Sequence, residues 1–334
     1  MKKFINEPDN IVNDTMEGFV NAYSDRLKKV EGSNVIARKA KKGKGKVGVI
    51  IGNGSGHEPA CIGFVGKNML DCNAYGGIFA APGPDTLLEA IEEADNGEGV
   101  VVLISNHAGD VINSKMALDM AEDDDFNVAG VILYDDIASA KKEEEEERRG
   151  TVGTLFNYKI TGTYAEEKHS LEEVVKMAEK VRNNTRSLSV ATVPGTSPIT
   201  GQKMFEIADD EIEIGMGVHG EEAACNMKMD TAKNIAKIMC DKLIEDKPYS
   251  DGDELAVIVN GCGQTTYMEL LIFFNEVRKY LKSKNIKVYK PGIGNFVTTQ
   301  EMGGIALSFC KVDEELKLLW SKETDAPGFP KLLP

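Results

Sequence analysis

Apolar positions recur along this chain in two rhythms, a helical spacing near 3.6 and short unbroken runs typical of buried strands. The helical rhythm comes first. Apolar groups at 12, 16, 19, 20 and 23 predict a helix from Ile11 to Tyr23 with Asn10 as its cap. Unbroken runs then predict buried strands at Val47 to Ile51 and at Gly99 to Ile104, the second being the strongest strand signal in the chain. Between them, Ala60 to Met69 reads as a short helix and Ile78 to Ala81 as a short strand. Asp85 to Ala94 reads as a helix capped by Asp85, with Leu87, Leu88 and Ile91 on one face. Val111 to Ala121 is the next predicted helix and Asn127 to Tyr134 the next strand, followed by helical stretches at Gly150 to Glu167 and Ser170 to Asn183.

The pattern breaks near Asn183-Asn184-Thr185, and a second α/β unit is expected beyond it. Its predicted strands are Leu188 to Val193, Glu254 to Val259, Ile286 to Tyr289 and Gly303 to Cys310, with a strand-like segment at Glu211 to Glu221. Its predicted helices are Asp230 to Ile244 and Thr266 to Lys282, and Ala326 to Pro334 reads as an irregular tail. The expectation is an α/β protein of two α/β domains, residues 1–184 and 185–334, each a central sheet flanked by helices.

Composition narrows the function. Fifty-four acidic residues against 39 basic ones give a formal charge of −15, and no basic stripe offsets it, so binding to nucleic acid or to an anionic membrane is not expected. Six cysteines without a C-x-x-C pair suggest neither a metal site nor a disulfide framework, and imply a reducing compartment. The first residues lack an apolar signal region, and no stretch approaches the ~20 apolar residues of a membrane span, so a cytoplasmic protein is expected. Lys39 to Lys46 reads as a solvated turn. Lys141 to Arg149, with five consecutive glutamates, reads as an exposed flexible segment without a catalytic role.

Candidate chemistry gathers where strands end. Gly52-Asn53-Gly54-Ser55-Gly56-His57-Glu58-Pro59 follows the Val47 strand, and its glycines let a small ligand approach the backbone. The spacing satisfies neither a P-loop nor a dinucleotide turn, and a plain glycine-rich connection fits these residues as well. His57 adds an imidazole able to exchange a proton near neutrality. Ser105-Asn106-His107-Ala108-Gly109-Asp110 ends the Gly99 strand, where Asp110 is either a base in the same crevice or the cap of the next helix. His107 reads as a turn or surface residue and His169 as inert. His219, flanked by Gly215, Gly217 and Gly220, is sterically open and is the strongest functional histidine.

With these residues in place, the chain resembles the dihydroxyacetone-binding subunit of dihydroxyacetone kinases over nearly its whole length. The resemblance is carried by Gly54-Ser55-Gly56-His57-Glu58-Pro59, Gly109-Asp110, Arg148-Arg149-Gly150, Gly215-Met216-Gly217-Val218-His219-Gly220-Glu221, Val259-Asn260-Gly261-Cys262-Gly263 and Asp325-Ala326-Pro327. It implies two α/β domains in a homodimer, with the substrate held between the first and second domains. It also implies that the residue matching His219 attacks the ketone carbon to form a hemiaminal, that matching His57 holds the resulting hydroxyl, and that matching Asp110 takes the proton of the hydroxyl receiving phosphate. Gly54, Ser55, Gly56 and Ser105 would line the ketose. No cofactor is expected in this chain. ADP or ATP with Mg would sit on a separate nucleotide-binding, DhaL-like kinase subunit, recharged by a phosphotransferase-system protein or by ATP exchange.

Three departures from the family pattern bear on the substrate. Ser105-Asn106-His107-Ala108-Gly109-Asp110 stands where Lys-Asn-Tyr-Thr-Gly-Asp is common, Ala80-Ala81-Pro82 stands for Thr-Ser-Pro, and Asn53 replaces a glycine. They remove a cation and a hydroxyl donor. Beside the dihydroxyacetone kinase subunit they keep two alternatives open: a ketose-sensing co-activator of transcription on the same fold, and a kinase subunit for a tetrulose such as erythrulose.

Overall fold

The computed structural model describes every residue except 1, 41, 42, 222, 248, 330, 331, 333 and 334. The chain forms two compact units, each built on its own six-stranded sheet. The first takes the chain up to Leu133, Leu155–Arg182 and the segment from Lys322; the second takes Tyr134–Thr154 and Asn183–Ser321. The division therefore differs from the expected single boundary after residue 184. Tyr134–Thr154 crosses into the second unit, and the segment from Lys322 returns to the first.

In the first unit the sheet order is β1-β2-β4-β3-β5-β6, with β1 Leu27–Lys29, β2 Val35–Arg38, β3 Gly48–Ser55, β4 Cys72–Ile78, β5 Val100–Ser105 and β6 Val128–Leu133. Strands β4, β3, β5 and β6 are parallel, whereas β1 and β2 add an antiparallel edge. Alternation along the strands divides two cores. Ile50, Cys72, Ala74 and Val102 pack with α2 (Pro84–Ala94) and α3 (Ala108–Asp123). Ile36 and Tyr75 turn the other way, toward Met16 of α1 (Ile11–Ala22). Helix α2 begins at Pro84 with Gly83 as its N-cap, so Asp85 lies in the first turn instead of capping it. The helix expected over Ala60 to Met69 is only a single 3-10 turn at Ile62–Phe64, and the strand expected at Ile78 to Ala81 ends at Ile78, where Phe79 turns to φ +54°.

A buried ion cluster fastens β3 and β4. Asp71, fully buried, accepts from Val49 N–H at 2.9 Å, from Arg38 Nη1 at 2.9 Å and from Lys46, while Arg38 also pairs with Glu166 of α4 (Thr154–Glu166). The turn that follows β3 is thus anchored at the strand's other end. The tail expected over Ala326 to Pro334 is irregular in its described residues, 330, 331, 333 and 334 lying outside them, yet it is fastened: Gly328 N–H donates to Gly63 O at 2.7 Å, and Ala326 and Phe329 are buried. Helix α5 (Leu171–Asn183) completes this part of the chain.

In the second unit the order is β11-β10-β12-β7-β8-β9: β7 Thr185–Val193, β8 Glu211–Ile214, β9 Cys225–Lys228, β10 Glu254–Gly261, β11 Lys287–Gly294 and β12 Gly303–Lys311. Only the β10–β11 pair is parallel. Ile235, Met239 and Leu243 of α6 (Ala232–Asp246) and Phe273 and Val277 of α7 (Tyr267–Ser283) share one core with Leu255 and Val257 of β10. Thr266 and Glu269 close a reciprocal capping box on α7, and a short α8 (Glu314–Ser321) buries Trp320. The glutamate run is largely exposed, as expected, but it takes regular structure. Residues Lys142–Glu147 form a 3-10 turn, Glu145 pairs with Arg186, and Arg148 is buried against Asp246 at 2.9 Å.

Candidate functional site

Within the first unit, the glycine-rich turn is the carboxyl end of β3. Gly56 adopts φ +101°, and a Cβ there would stand 2.6 Å from the Phe79 ring, so only glycine fits. Gly54 lies against the backbone of Ala80, where a Cβ would meet nitrogen at 2.7 Å. Glu58 shapes the turn: it accepts from Gly56 N–H at 2.9 Å and from the Tyr75 hydroxyl. His57 is 6 % exposed, its ring 5.0 Å from that of Phe79. Two polar atoms of this strand end, Asn53 Oδ1 and Ser55 Oγ, are buried without a hydrogen-bond partner among the described residues. Native proteins rarely leave such groups unmet, which sets this strand end apart from an ordinary connection.

Asp110 lies at the neighbouring strand end, after β5, and is buried in the first turn of α3. The N-cap position belongs to His107, so capping does not account for Asp110. Amides at the helix start favour its negative charge. His107 is nearer this chemistry than its sequence context implied, with Nδ1 3.9 Å from Asp110 Oδ2 and 3.4 Å from Ser105 Oγ. Ser105 is buried at the last residue of β5. The two strand ends meet through the Ala80-Ala81 segment: Gly54 abuts Ala80, and a Cβ on Gly109 would stand 3.3 Å from Ala81 Cβ. Burial, reinforced by the charges of Asp110 and Glu58, pushes the Cys61 thiol far above its ordinary range, which removes it as a nucleophile. His169 stacks on Tyr164 at 3.7 Å and faces Glu167 and Glu173.

Within the second unit, β8 stops at Ile214, and the strand expected to run on to Glu221 becomes a turn. Gly215 takes φ +82° at the break. The turn's carbonyls are pinned, with Ser189 Oγ donating to Met216 O at 2.5 Å and Thr299 Oγ1 to Val218 O at 2.7 Å. His219 is part-exposed, and Glu221 grips it twice: Oε2 accepts from the His219 backbone N–H at 2.8 Å, and Oε1 lies 2.9 Å from Nδ1. Burial opposes the Glu221 charge, but the hydrogen bond and charge of His219, with backbone N–H groups, outweigh it and hold the carboxyl well below the usual range. An ionised Glu221 facing Nδ1 favours the proton there, which leaves the lone pair on Nε2. Sequence reasoning quoted Glu221 but gave it no role; the signal was the H-x-E spacing on a glycine-rich turn.

Beyond Glu221 stands Arg149, with Nη1 3.9 Å from Glu221 Oε2. It donates to Asp136 through Nε at 3.0 Å and Nη2 at 2.7 Å, and to Gly215 O at 3.0 Å. Burial raises the Asp136 carboxyl to about 6 against the opposing pull of Arg149. Glycine at 217 leaves room for both: a Cβ there would stand 2.0 Å from Glu221 Oε2 and 2.4 Å from Arg149 Nη1, so either side chain would have to move. No described helix is long and apolar enough to cross a membrane.

Comparison with known proteins places this arrangement in a family. The Dak1 domain model matches residues 17–328. The chain is 40% identical over 315 residues to the dihydroxyacetone-binding subunit DhaK of a PTS-dependent dihydroxyacetone kinase from Listeria innocua, covering 94% of this chain and 95% of that one. The dihydroxyacetone kinase of C. freundii, solved with AMP-PNP and Mg2+, superposes with a TM-score of 0.91 at 29% identity, over all of this chain and 62% of that one. A dihydroxyacetone kinase operon co-activator, DhaQ, superposes with a TM-score of 0.89 at 29% identity, over 95% of this chain and 97% of that one. The chain therefore belongs to the Dak1 domain family, and it is similar to the dihydroxyacetone-binding DhaK subunits of that family.

Proposed function

We propose that this chain is the ketose-binding subunit of a multi-subunit dihydroxyacetone kinase, holding dihydroxyacetone covalently on His219 while a separate subunit delivers the phosphoryl group. The observation that carries this reading is the Glu221 carboxylate 2.9 Å from His219 Nδ1, on a turn where Gly217 leaves room for Glu221 and Arg149. A neutral imidazole with its proton on Nδ1 is a competent nucleophile through Nε2. In the step proposed, Nε2 bonds to the ketone carbon, the carbonyl π pair moves to oxygen and takes up a proton, and Nδ1 gives up its own. The adduct is a hemiaminal with the mass of protein plus one whole ketose. Glycerol, which has no carbonyl, is excluded by chemistry and not by shape.

His57 is assigned to the new hydroxyl, and Asp110 to the proton of the terminal hydroxyl that receives phosphate. A positioned carboxylate base contributes on the order of 10²–10⁴-fold, and tethering makes transfer a positioned reaction. Gly54, Ser55 and Gly56 are assigned to the ketose, in keeping with the unmet Ser55 Oγ, and Ser105 with them. The phosphoryl donor is a nucleotide-binding partner subunit carrying ADP or ATP with Mg, recharged by a phosphotransferase-system protein or by ATP exchange. The assembly is a cytoplasmic homodimer of this chain joined by that partner.

One observation favours a second reading. Ser105 stands where the family pattern has a lysine, and its hydroxyl lies 3.4 Å from His107 Nδ1, so the loop before Asp110 departs from the family's pattern there. A ketose-sensing co-activator would keep His219 and tolerate this change. Asp110 argues for the kinase, because a sensor needs no base. The small Ala80 and Ala81 beside Gly54 and Gly109 fit a tetrulose substrate as well as a triose. Intact-protein mass spectrometry of wild type and His219→Ala, after incubation with dihydroxyacetone or erythrulose and rapid desalting, tests the reading. A gain of one ketose that vanishes in the variant supports it and ranks the sugars; no gain with either sugar refutes it.

A further inference from the structure

The Arg148-Arg149-Gly150 motif has no part in the reaction just described, yet its second arginine reaches toward the His219 turn within the same unit. Arg149 is 15% exposed at its side chain and is held at two places that do not depend on Glu221: the Asp136 carboxylate, gripped by Nε and Nη2, and the Gly215 carbonyl. Asp136 is itself fixed, accepting from Ala138 N–H at 3.0 Å. Asp136, Arg149 and Glu221 alternate in charge along a line that ends on the His219 ring, and each member limits the next. Glu221 commits both oxygens to His219, one to the backbone and one to the ring. Its carboxylate would otherwise turn on its own side chain, or take up a proton and offer Nδ1 a donor in place of an acceptor. A guanidinium 3.9 Å behind it opposes both. Gly217 keeps the space clear, for a Cβ there would collide with Glu221 and Arg149 together.

We propose that Arg149 is a positioning residue for His219: anchored on Asp136 and Gly215 O, it holds Glu221 ionised and turned toward Nδ1, and so fixes the Nδ1–H tautomer of the histidine. The fork geometry matters as well as the charge. An ammonium on a flexible stem cannot hold Asp136 and the Gly215 carbonyl while facing Glu221, so lysine is not an equivalent. Loss of the partner that orients a metal-ligating histidine typically costs ~10–100-fold; Arg149 acts through Glu221, one step further back, so the low end of that range is expected here. The consequence for ketose capture rests on the reading of His219 as the carbonyl nucleophile, but the tautomer does not.

The test therefore has two arms on the full chain. Nitrogen-15 NMR of histidine-labelled protein reads the protonated ring nitrogen of His219 with no ligand present, the four histidines being assigned by substitution. Mass spectrometry then reads ketose occupancy. In wild type, Nδ1 carries the proton. In Arg149→Met the two tautomers mix and ketose occupancy at sub-saturating sugar falls about tenfold; Arg149→Lys restores neither fully, and Glu221→Gln reproduces the tautomer mixing with Arg149 in place. A wild-type tautomer in Arg149→Met, in protein whose near-ultraviolet circular dichroism is unchanged, overturns the proposal. If Arg149→Met does not fold, Arg149→Lys decides: a native tautomer population there overturns it, and a mixed one supports it. Absence of any adduct in wild type counts against the ketose reading alone and leaves the tautomer arm to decide the role of Arg149.

Discussion

Replacing Asp71 by asparagine should loosen the first sheet by about 3–5 kcal/mol, and the size follows from what the carboxylate holds. Asp71 is fully buried and is the shared anion of Lys46 and Arg38, each buried or nearly so, while Oδ2 also accepts from Val49 N–H at 2.9 Å. Asparagine keeps the shape but loses the charge, and its amide offers donors to two cations. Glu166, which pairs with Arg38 and lies 4.0 Å from Lys46 Nζ, is then one carboxylate between two positive groups. Local opening of β3 and β4 should become roughly 10²–4×10³ times more frequent, at a tenfold change per ~1.4 kcal/mol. Hydrogen exchange read by mass spectrometry measures this on peptides from Gly48–Ser55 and Cys72–Ile78, with peptides from Glu254–Gly261 in the other unit as the internal reference. A double change, Lys46→Met with Asp71→Leu, should recover much of the loss, because it removes a buried pair instead of stranding one member. An Asp71→Asn protein whose β3 peptides exchange within threefold of wild type would refute the reasoning.

Asn260 is fully buried and ties a loop to β10, accepting from Phe296 N–H at 2.8 Å and Val297 N–H at 2.9 Å and donating to Val297 O at 2.8 Å. Asn260→Ala should cost about 2–4 kcal/mol through the groups left unmet, seen in urea unfolding followed by the single tryptophan, Trp320; a shift under 1 kcal/mol would count against it. Burial, aided by the charge of Lys322, lowers the fully buried Lys159 from 10.5 to about 7. Above that value the unfolded chain holds more protons than the native one, so this group makes stability rise by roughly 1.4 kcal/mol per pH unit between about 7 and 10, and below 7 its full penalty is present. The stability deficit of wild type against Lys159→Met should therefore shrink from pH 7 to pH 9; a gap that stays constant would show that Lys159 is not depressed.

The parts legible in the sequence are those whose burial is written locally. Val100–Ser105 and Gly48–Ser55 lie in a parallel sheet, where burial on both faces gives unbroken apolar runs. Strand β4 escaped because Cys72–Ile78 carries Asn73 and two glycines, and β1, β2 and β9 are three or four residues long, too short to show a period. The strand-like alternation into Glu221 misled because a positive φ at Gly215 ends the strand whatever follows it. The crossing of Tyr134–Thr154 was invisible for another reason. Its contacts are long-range, such as Arg148 with Asp246 and Asp135 with Gly153 and Ser187, and nothing in local composition marks them.

The same distinction applies to the site. His57, Asp110 and His219 stood out in the sequence as candidates because each sits on or beside glycine at a strand end or turn, and glycine is where a backbone makes room. Glu221 and Arg149 could not be given roles, because their work lies in each other. Glu221 is exposed enough to pass for a solvated acid, and Arg149 follows a glutamate run that reads as surface. In the fold, the place a Gly217 side chain would take is filled by Glu221 and Arg149. A glycine in a functional turn therefore has two possible causes, space for a ligand or space for a neighbour that aims a functional group. Gly56 against Phe79 and Gly217 against Glu221 both belong to the second kind, so the glycine richness of these turns reflects packing around His57 and His219 as much as access to them.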